Sequence, residues 1–176
     1  MIYSYLGPRR DFVERMNMSG EKIIEIANPM SESCECLRNS QLPNLLNSES
    51  VSSNAVYPHR IFEVGNVAYL DERENYGSRT VTCLSFLFCD REASFNDVSS
   101  HLSAVFFYLS RDYDLEPVED PRFVSGRLGA VLYKGRRIGV VGEIHPAVLE
   151  SWGIQQPTAA GEIELDAILE RDSEGR

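Results

Sequence analysis

The segment Thr80-Val-Thr-Cys-Leu-Ser-Phe-Leu-Phe88 is apolar enough to form a central strand of a sheet, and the rest of the fold is predicted around it. Upstream of it, Arg60-Ile-Phe-Glu-Val-Gly65 and residues 67–70 predict one long strand that a glycine interrupts. The charged residues 71–79 between the two strands predict a turn. A connection this short favours antiparallel pairing.

A helix is predicted directly after this strand. Ser94 and Asp97 have the spacing of a capping box, in which a serine and a carboxylate satisfy backbone groups at a helix start. The apolar residues that follow recur at helical spacing and form one stripe: Val98, Leu102, Val105, Phe106 and Leu109. This pattern is typical of an amphipathic helix.

The flanking regions add shorter elements. Lys134-Gly-Arg-Arg137 predicts a hairpin turn, and Pro146 and Gly153 delimit a short helix. Residues 21–27 and 162–166 alternate between apolar and polar side chains, which predicts two more strands.

Residues 40–46 predict a helix that the chain enters through Pro43. The segment after it, residues 47–59, begins with a polar run that is rich in Ser and Asn and poor in helix formers. We expect residues 47–59 to form a mobile loop.

Hairpins and long strands outnumber the predicted helices, and the strands follow one another too closely for βαβ crossovers. We therefore predict an α+β fold, a mainly antiparallel sheet flanked by helices. The 176 residues fit one domain over residues 1–176, because domains have about 150 residues on average.

The net charge limits the function classes. The chain has 17 Lys and Arg against 27 Asp and Glu, a formal net charge of −10, with much of the excess acid in residues 112–120. We expect that acidic run to be a solvated loop, and the charge disfavours free-standing DNA or RNA binding. Arg9-Arg10 and Lys134-Gly-Arg-Arg137 could contact RNA within a larger assembly. No stretch reaches the ~18 apolar residues of a membrane span, and no secretory signal is evident.

The cysteines indicate a reducing compartment and no metal site. Cys34 and Cys36 are too close together for a zinc knuckle, and Cys83 and Cys89 lie in an apolar run where cysteine behaves as a small hydrophobic residue. We expect free thiols in a cytoplasmic protein.

A series of short blocks, in order and at fitting spacings, resembles one known family. The blocks are Tyr3-Ser-Tyr-Leu6, Ala27-Asn-Pro-Met-Ser31, Leu37-Arg-Asn-Ser40, Leu42-Pro-Asn-Leu-Leu46, Arg60-Ile-Phe-Glu-Val-Gly65, Ser125-Gly-Arg127 and Gly142-Glu-Ile-His-Pro146. From residue 2 to residue 169, the chain resembles the C-terminal synthetase-like module of the phenylalanyl-tRNA synthetase β subunit, of the archaeal and eukaryotic type.

The resemblance implies a class II aminoacyl-tRNA synthetase-like fold and a single degenerate, non-catalytic domain. In that family the α subunit holds phenylalanine, ATP and Mg and makes the aminoacyl-adenylate, so no cofactor is expected in this chain. The β module packs against the α subunit in an (αβ)2 heterotetramer and helps to place the tRNA. The resemblance thus implies a supporting role in the ATP-dependent charging of tRNA with phenylalanine.

Catalysis in class II enzymes needs two arginines that stabilise charge on the reacting phosphate. The position of the first falls within residues 60–65, where Phe62 and Glu63 occupy the middle of the strand and Arg60 precedes it. The second signature, Gly-x-Gly-x-x-Arg, does not occur in the chain. We therefore predict that the isolated chain is inactive and that no residue of it is catalytic.

The resemblance and the local patterns instead single out structural or subunit-interface candidates. These are Asn28, Pro29, Arg38, Phe62, Glu63, Gly65, Gly126, Arg127, Glu143, His145 and Pro146. Arg38 and Arg127 are candidates for anchors that bind a carboxylate through two bonds. The alternative for Arg127 is an exposed side chain worth a few tenths of a kcal/mol.

Two alternative functions stay open at this point. Glu143 and His145 would point to one face of a strand and could form an acid–base pair, or His145 could cap the next helix while Glu143 binds an arginine. His59 and His101 have no partners in register, so we expect each to be a surface or helix-face histidine. The chain could also be a stand-alone paralogue that binds a small amino-acid-like ligand in a remnant cleft.

Overall fold

The computed structural model describes residues 4–52 and 55–169. The strands are β1 (Leu6–Gly7), β2 (Ile24–Glu25), β3 (Cys36–Leu37), β4 (His59–Leu70), β5 (Ser78–Cys89), β6 (Asp114–Glu116), β7 (Phe123–Tyr133), β8 (Arg136–Ile144) and β9 (Thr158–Glu164). The helices are α1 (Arg9–Phe12), α2 (Leu42–Val51), α3 (Phe95–Leu109), α4 (Pro146–Trp152) and α5 (Asp166–Leu169).

The main sheet has six strands in the order β4-β5-β9-β8-β7-β6, and every neighbouring pair is antiparallel. The N-terminal strands form a separate three-stranded antiparallel sheet in the order β1-β3-β2. The predicted α+β class with a mainly antiparallel sheet is confirmed.

Helices cover the main sheet on both faces. On one face, α3 buries Val98, Leu102 and Phe106 against Phe86 and Phe88 of β5. On the other face, α2 and α4 form a second cluster, which contains Leu42, Leu45, Leu46, Leu87, Leu149 and Trp152. Each fully buried side chain of this kind contributes about 1.5–3 kcal/mol, so these clusters hold the layers together. No helix in the described parts of the chain is long and apolar enough to cross a membrane.

The predicted loop over residues 47–59 is wrong in its first part. α2 continues to Val51, because Leu45, Leu46 and Glu49 of this helix are buried and the tertiary packing outweighs the weak helix propensity of the polar residues. Residues 53–54 lie outside the described residues, and the mobility of the remaining segment stays a prediction.

The strand predictions differ from the structure mainly at their ends. β4 is continuous through Gly65, which pairs with Cys83 without a shift of register. β2 is limited to Ile24–Glu25, and β9 begins earlier than predicted, at Thr158. The acidic run contains a short strand, Asp114–Glu116, where a solvated loop was expected.

Candidate functional site

The middle of β4 is the position where the family resemblance places the first catalytic arginine. Phe62 and Glu63 are consecutive, so they lie on opposite faces of the strand. Phe62 is 72% exposed. Glu63 points inward and accepts a hydrogen bond from Arg38 Nη1 at 2.6 Å. Neither position presents a positive charge.

Arg38 holds the N-terminal segment against β4. Its side chain is only 2% exposed, and its Nε donates to the Asn66 carbonyl at 2.7 Å. The guanidinium also stacks on the Tyr5 ring, 4.5 Å from the centroid. A Cβ on Gly65 would lie 2.6 Å from Arg38 Nη2, so the glycine leaves the room that this guanidinium needs.

A second buried carboxylate, Glu162 of β9, lies on the same face of the main sheet as Glu63. We call this face, which α2 and α4 cover, the inner face. It accepts hydrogen bonds from Ser40 Oγ at 2.9 Å, the Gln41 backbone N–H at 2.6 Å and Ser85 Oγ at 2.9 Å. Arg122 Nη1 lies 3.9 Å from the same carboxylate. Sequence reasoning missed this network, because the alternation of residues 162–164 predicts only that Glu162 lies on the face opposite Ile163 and gives no sign that this face is also buried.

Asp120 and Arg122 extend this network toward the end of the acidic run. Arg122 donates from Nε and Nη2 to the two oxygens of Asp120, at 2.9 and 2.7 Å. Burial raises the pKa of the Asp120 carboxyl, but the bonds and the charge of Arg122 outweigh burial and lower that pKa overall. Arg122 keeps its charge, because its bonds to Asp120 raise its pKa despite burial.

The inner face of the sheet does not fit the phosphates of ATP. Arg38 and Arg122 are each bound to a carboxylate of this chain, and no further cation lies at the middle of β4. Within residues 4–52 and 55–169, no group of three or more His, Cys, Asp or Glu side chains is placed to hold a metal ion.

A second feature surrounds Arg127. Phe123 pairs with Ile144 and Leu128 pairs with Gly142, so residues 124–127 bulge out of β7 opposite a single residue of β8. Gly126 stands in this bulge with a φ of +75°, a conformation that favours glycine. The bulge brings Arg127 over β8.

Glu143 links this bulge to the start of α3. Its Oε2 accepts from Arg127 Nη1 at 2.8 Å, and its Oε1 accepts from the Phe95 backbone N–H at 3.0 Å. The bond to Glu143 raises the pKa of Arg127, whose side chain remains 64% exposed. A groove of about 650 Å³ adjoins this pair, and apolar side chains form much of its wall: Val124, Ile144, Pro146, Leu149, Ile154 and Pro157.

His145 forms the N-cap of α4, and Pro146 takes the first position of that helix. The His145 Nδ1 accepts from the Ala147 backbone N–H at 3.1 Å. Glu143 and His145 thus each bind a different partner. These contacts match the capping alternative and give the acid–base alternative no support.

His59 is not on the surface, contrary to the sequence-based expectation. Its Nδ1 lies 2.9 Å from both carboxylate oxygens of Glu49, and its ring stacks on Tyr57 at 4.2 Å. Glu49 belongs to the part of α2 that the sequence analysis assigned to a loop, so the partner could not be recognised. His101 lies on the exposed face of α3, as expected.

Comparison with known proteins identifies the family. Residues 2–165 match the family described as "Phenylalanyl tRNA synthetase beta chain CLM domain". The chain belongs to this family. It is 44% identical over 169 residues to the "Phenylalanine--tRNA ligase beta subunit" of Treponema pallidum subsp. pallidum. It is 42% identical over 169 residues to the protein of the same name in Borrelia hermsii.

The chain spans less than a third of these β-subunit relatives. Both matches cover 96% of this chain, but 28% and 30% of the Treponema and Borrelia proteins respectively. Among solved structures, the fold is similar to that of "Pyrrolysyl-tRNA synthetase from Desulfitobacterium hafniense", with a TM-score of 0.76. That likeness covers 96% of this chain and 61% of the other at 16% identity, which shows the fold alone. The predicted family and class II fold are confirmed.

In this β-subunit domain, the predicted candidates separate into groups. Arg38, Glu63 and Gly65 meet on the inner face of β4. Arg127, Glu143 and Pro146 line the groove, and Gly126 and His145 are the chain neighbours of Arg127 and Pro146. Phe62 lies alone on the outer face, and Asn28 and Pro29 lie in an exposed bend after β2, where the structure brings neither of them to these groups.

Proposed function

We propose that this chain is the catalytic-like, non-catalytic domain of the β subunit of a phenylalanine–tRNA ligase. The family match over residues 2–165 supports the assignment to this enzyme. The observation that carries the non-catalytic role is the Arg38–Glu63 pair, because a carboxylate already bound to a buried arginine stands where catalysis would need a free positive charge.

In this proposal the chain supports a separate catalytic α subunit. The α subunit binds phenylalanine, ATP and Mg, and the two kinds of subunit assemble as (αβ)2 in the cytoplasm. The domain helps to place the tRNA through the assembly rather than by its own charge, because its net charge of −10 repels nucleic acid at long range. The groove beside Arg127 is a candidate for part of the subunit contact.

Two measurements on the isolated chain test this proposal. The first is co-elution of the chain with the α subunit of the same organism on a sizing column. The second is phenylalanine-dependent exchange of pyrophosphate into ATP, which detects adenylate formation. We expect a stable complex in the first experiment and background exchange in the second, whereas exchange by the chain alone would contradict the non-catalytic role.

A third measurement separates the proposal from the ligand-binding alternative. The melting temperature of the chain is recorded with and without phenylalanine and ATP. We expect no change, because the inner face of the sheet is occupied by side chains of the chain itself. A ligand-dependent rise combined with a failure to bind the α subunit would favour a stand-alone paralogue.

A further inference from the structure

The outer edge of β4 faces away from the rest of the main sheet. β4 pairs with β5 in one continuous register over His59–Leu70, so alternate residues direct their N–H and C=O away from β5. The contacts of Arg38 identify this outward set. The Ala68 N–H donates to the Arg38 carbonyl at 2.9 Å, and the Asn66 carbonyl accepts from Arg38 Nε at 2.7 Å.

The same alternation makes Arg60, Phe62 and Val64 members of the outward set; we call these three residues the open edge. Their outward backbone groups have no backbone partner among residues 4–52 and 55–169. The side chains of Phe62 and Val64 are 72% and 54% exposed. The open edge thus combines unpaired hydrogen-bonding groups with exposed apolar surface.

The opposite edge of the sheet is better protected than the open edge. β6 is only three residues long, carries Asp114 and Glu116, and is followed by Pro117. Short length, charge and proline are the features that keep an edge strand from pairing with other chains. The open edge contains neither proline nor a bulge, and its N–H and C=O groups recur at the two-residue spacing of an extended chain.

We infer that the open edge binds an extended segment of the α subunit, which adds a strand to the main sheet beside β4. This inference rests on the proposed function, since the α subunit is the partner that it supplies. The side chains of the added strand meet those of β4 in pairs, so the segment carries apolar residues beside Phe62 and Val64 and an acidic residue beside Arg60.

A second copy of this chain is a poorer occupant than the α subunit. Self-pairing over the open edge would involve three residues from each copy, whereas stable interfaces bury about 1,200 Å² or more. Two copies with a net charge of −10 each also repel one another. The α subunit is not limited to this small area, because it can add contacts elsewhere on the domain.

The test replaces one backbone donor of the open edge. Val64→Pro removes an N–H that points outward, and edge strands tolerate proline at such positions. Val56→Pro is the matched control, because Val56 is exposed in the segment before β4. Titration of the α subunit should show binding to Val64→Pro that is about tenfold weaker or worse, with binding to Val56→Pro unchanged.

A second pair of variants leaves the backbone intact. Phe62→Ser should weaken binding of the α subunit, and Phe107→Ser, at another exposed aromatic position, should not. Hydrogen–deuterium exchange of residues 60–66 gives an independent reading, because pairing with an added strand should slow exchange in the complex. These measurements still apply if Val64→Pro fails to fold.

The outcomes distinguish the inference from the proposed function. If the unaltered chain binds the α subunit and all variants bind equally well, the inference is overturned and the proposed function stands. If the unaltered chain does not bind the α subunit, both are overturned. If the unaltered chain instead forms dimers that Val64→Pro abolishes, the occupant is a second copy and the assignment to the α subunit is wrong.

Discussion

At the scale of single residues, the domain uses its buried charges to hold its own segments together. Glu63 and Arg38 join β4 to the N-terminal segment, and Glu162 joins β9 to the residues that lead into α2. A buried charge that loses its partner costs far more than an exposed one. The stability lost on substitution of a charged residue therefore depends more on the burial of its ion pair than on the number of hydrogen bonds it makes.

Glu63→Ala should lower the free energy of unfolding by about 3–5 kcal/mol, because it leaves the Arg38 guanidinium buried without its carboxylate. Arg73→Ala removes the exposed arginine of the Arg73–Asp71 ion pair. It should lower the free energy of unfolding by about 1 kcal/mol or less. Urea denaturation measures both. The double substitution Arg38→Met with Glu63→Leu should recover much of the loss; if it is as unstable as Glu63→Ala, the buried charge is not the cause.

Gly65→Ala should destabilise the domain by about 1–3 kcal/mol, because its Cβ would lie 2.6 Å from Arg38 Nη2 and 3.0 Å from Gln41 Nε2. Gly129→Ala is the control: it lies in β7, and its nearest neighbour would be at 3.5 Å, an ordinary contact. Thermal denaturation compares the two variants. Equal melting temperatures would mean that Arg38 moves aside without cost.

The Asp120–Arg122 pair predicts an acid-sensitive contribution to stability. The pKa of Asp120 is below its ordinary value of 3.8 in the folded protein, so the pair stabilises the fold near neutral pH. This stabilisation is lost as the pH falls through the lowered pKa. Urea denaturation at pH 7 and pH 3 should show a smaller difference between the unaltered chain and Asp120→Asn at pH 3; an unchanged difference would argue against the lowered pKa.

At the scale of elements, residues at the helix termini determine where α3 begins and where α4 ends. Ser94 and Asp97 form the predicted capping box of α3, and Gly153 ends α4 in the left-handed conformation, with a φ of +72°. These signals are local, which is why the sequence predicted both helices well. α2 has no side-chain cap, and its end was predicted wrongly.

His145→Ala should weaken α4 and lower the free energy of unfolding by about 1 kcal/mol, because the Ala147 N–H loses its acceptor. His145→Asn supplies another N-cap acceptor and should restore most of the stability. His101→Ala, on the exposed face of α3, serves as the control. Denaturant midpoints give the comparison, and equal losses in the Ala and Asn variants would show that capping is not the role of His145.

The sequence predicted the helices and strands better than the side-chain contacts between them. Strand and helix patterns repeat over a few residues, so β5 and α3 could be recognised within their own sequences. The bond between Ser40 and Glu162 spans 122 positions, and nothing in either local sequence indicates the other. The two-residue strands of the N-terminal sheet carry no periodicity, since two residues cannot show alternation.

At the scale of the whole molecule, three of the four cysteines lie in separate hydrophobic clusters. Cys36 belongs to a small N-terminal cluster, Cys83 to a cluster formed by β4 and β5, and Cys89 to the cluster under α2 and α4. Burial raises the pKa of Cys36 to about 11 and that of Cys89 to about 12, and it also raises the pKa of Cys83. Cys34 is only partly buried.

Alkylation at pH 8 should therefore modify Cys34 in the folded chain and spare the three buried thiols, since the thiolate is the reactive form. Of Cys36 and Cys89, Cys36 should react first, because its cluster is much smaller than the cluster of Cys89 and should open at a lower free energy. Peptide mass spectrometry after timed labelling measures the order. Modification of Cys89 as fast as Cys34 would contradict the packing described for α2 and α4.

The position of β9 between β5 and β8 also governs when the domain can fold as it is made on a ribosome. The β4–β5 hairpin and the strands β6, β7 and β8 emerge first, but no strand pairing joins these two sets. Thr158–Glu164, near the end of the described chain, supplies the strand that pairs with both. The nascent domain therefore carries two unjoined partial sheets until β9 is synthesised, and the emergence of β9 from the ribosome is the step that permits a cooperative native core.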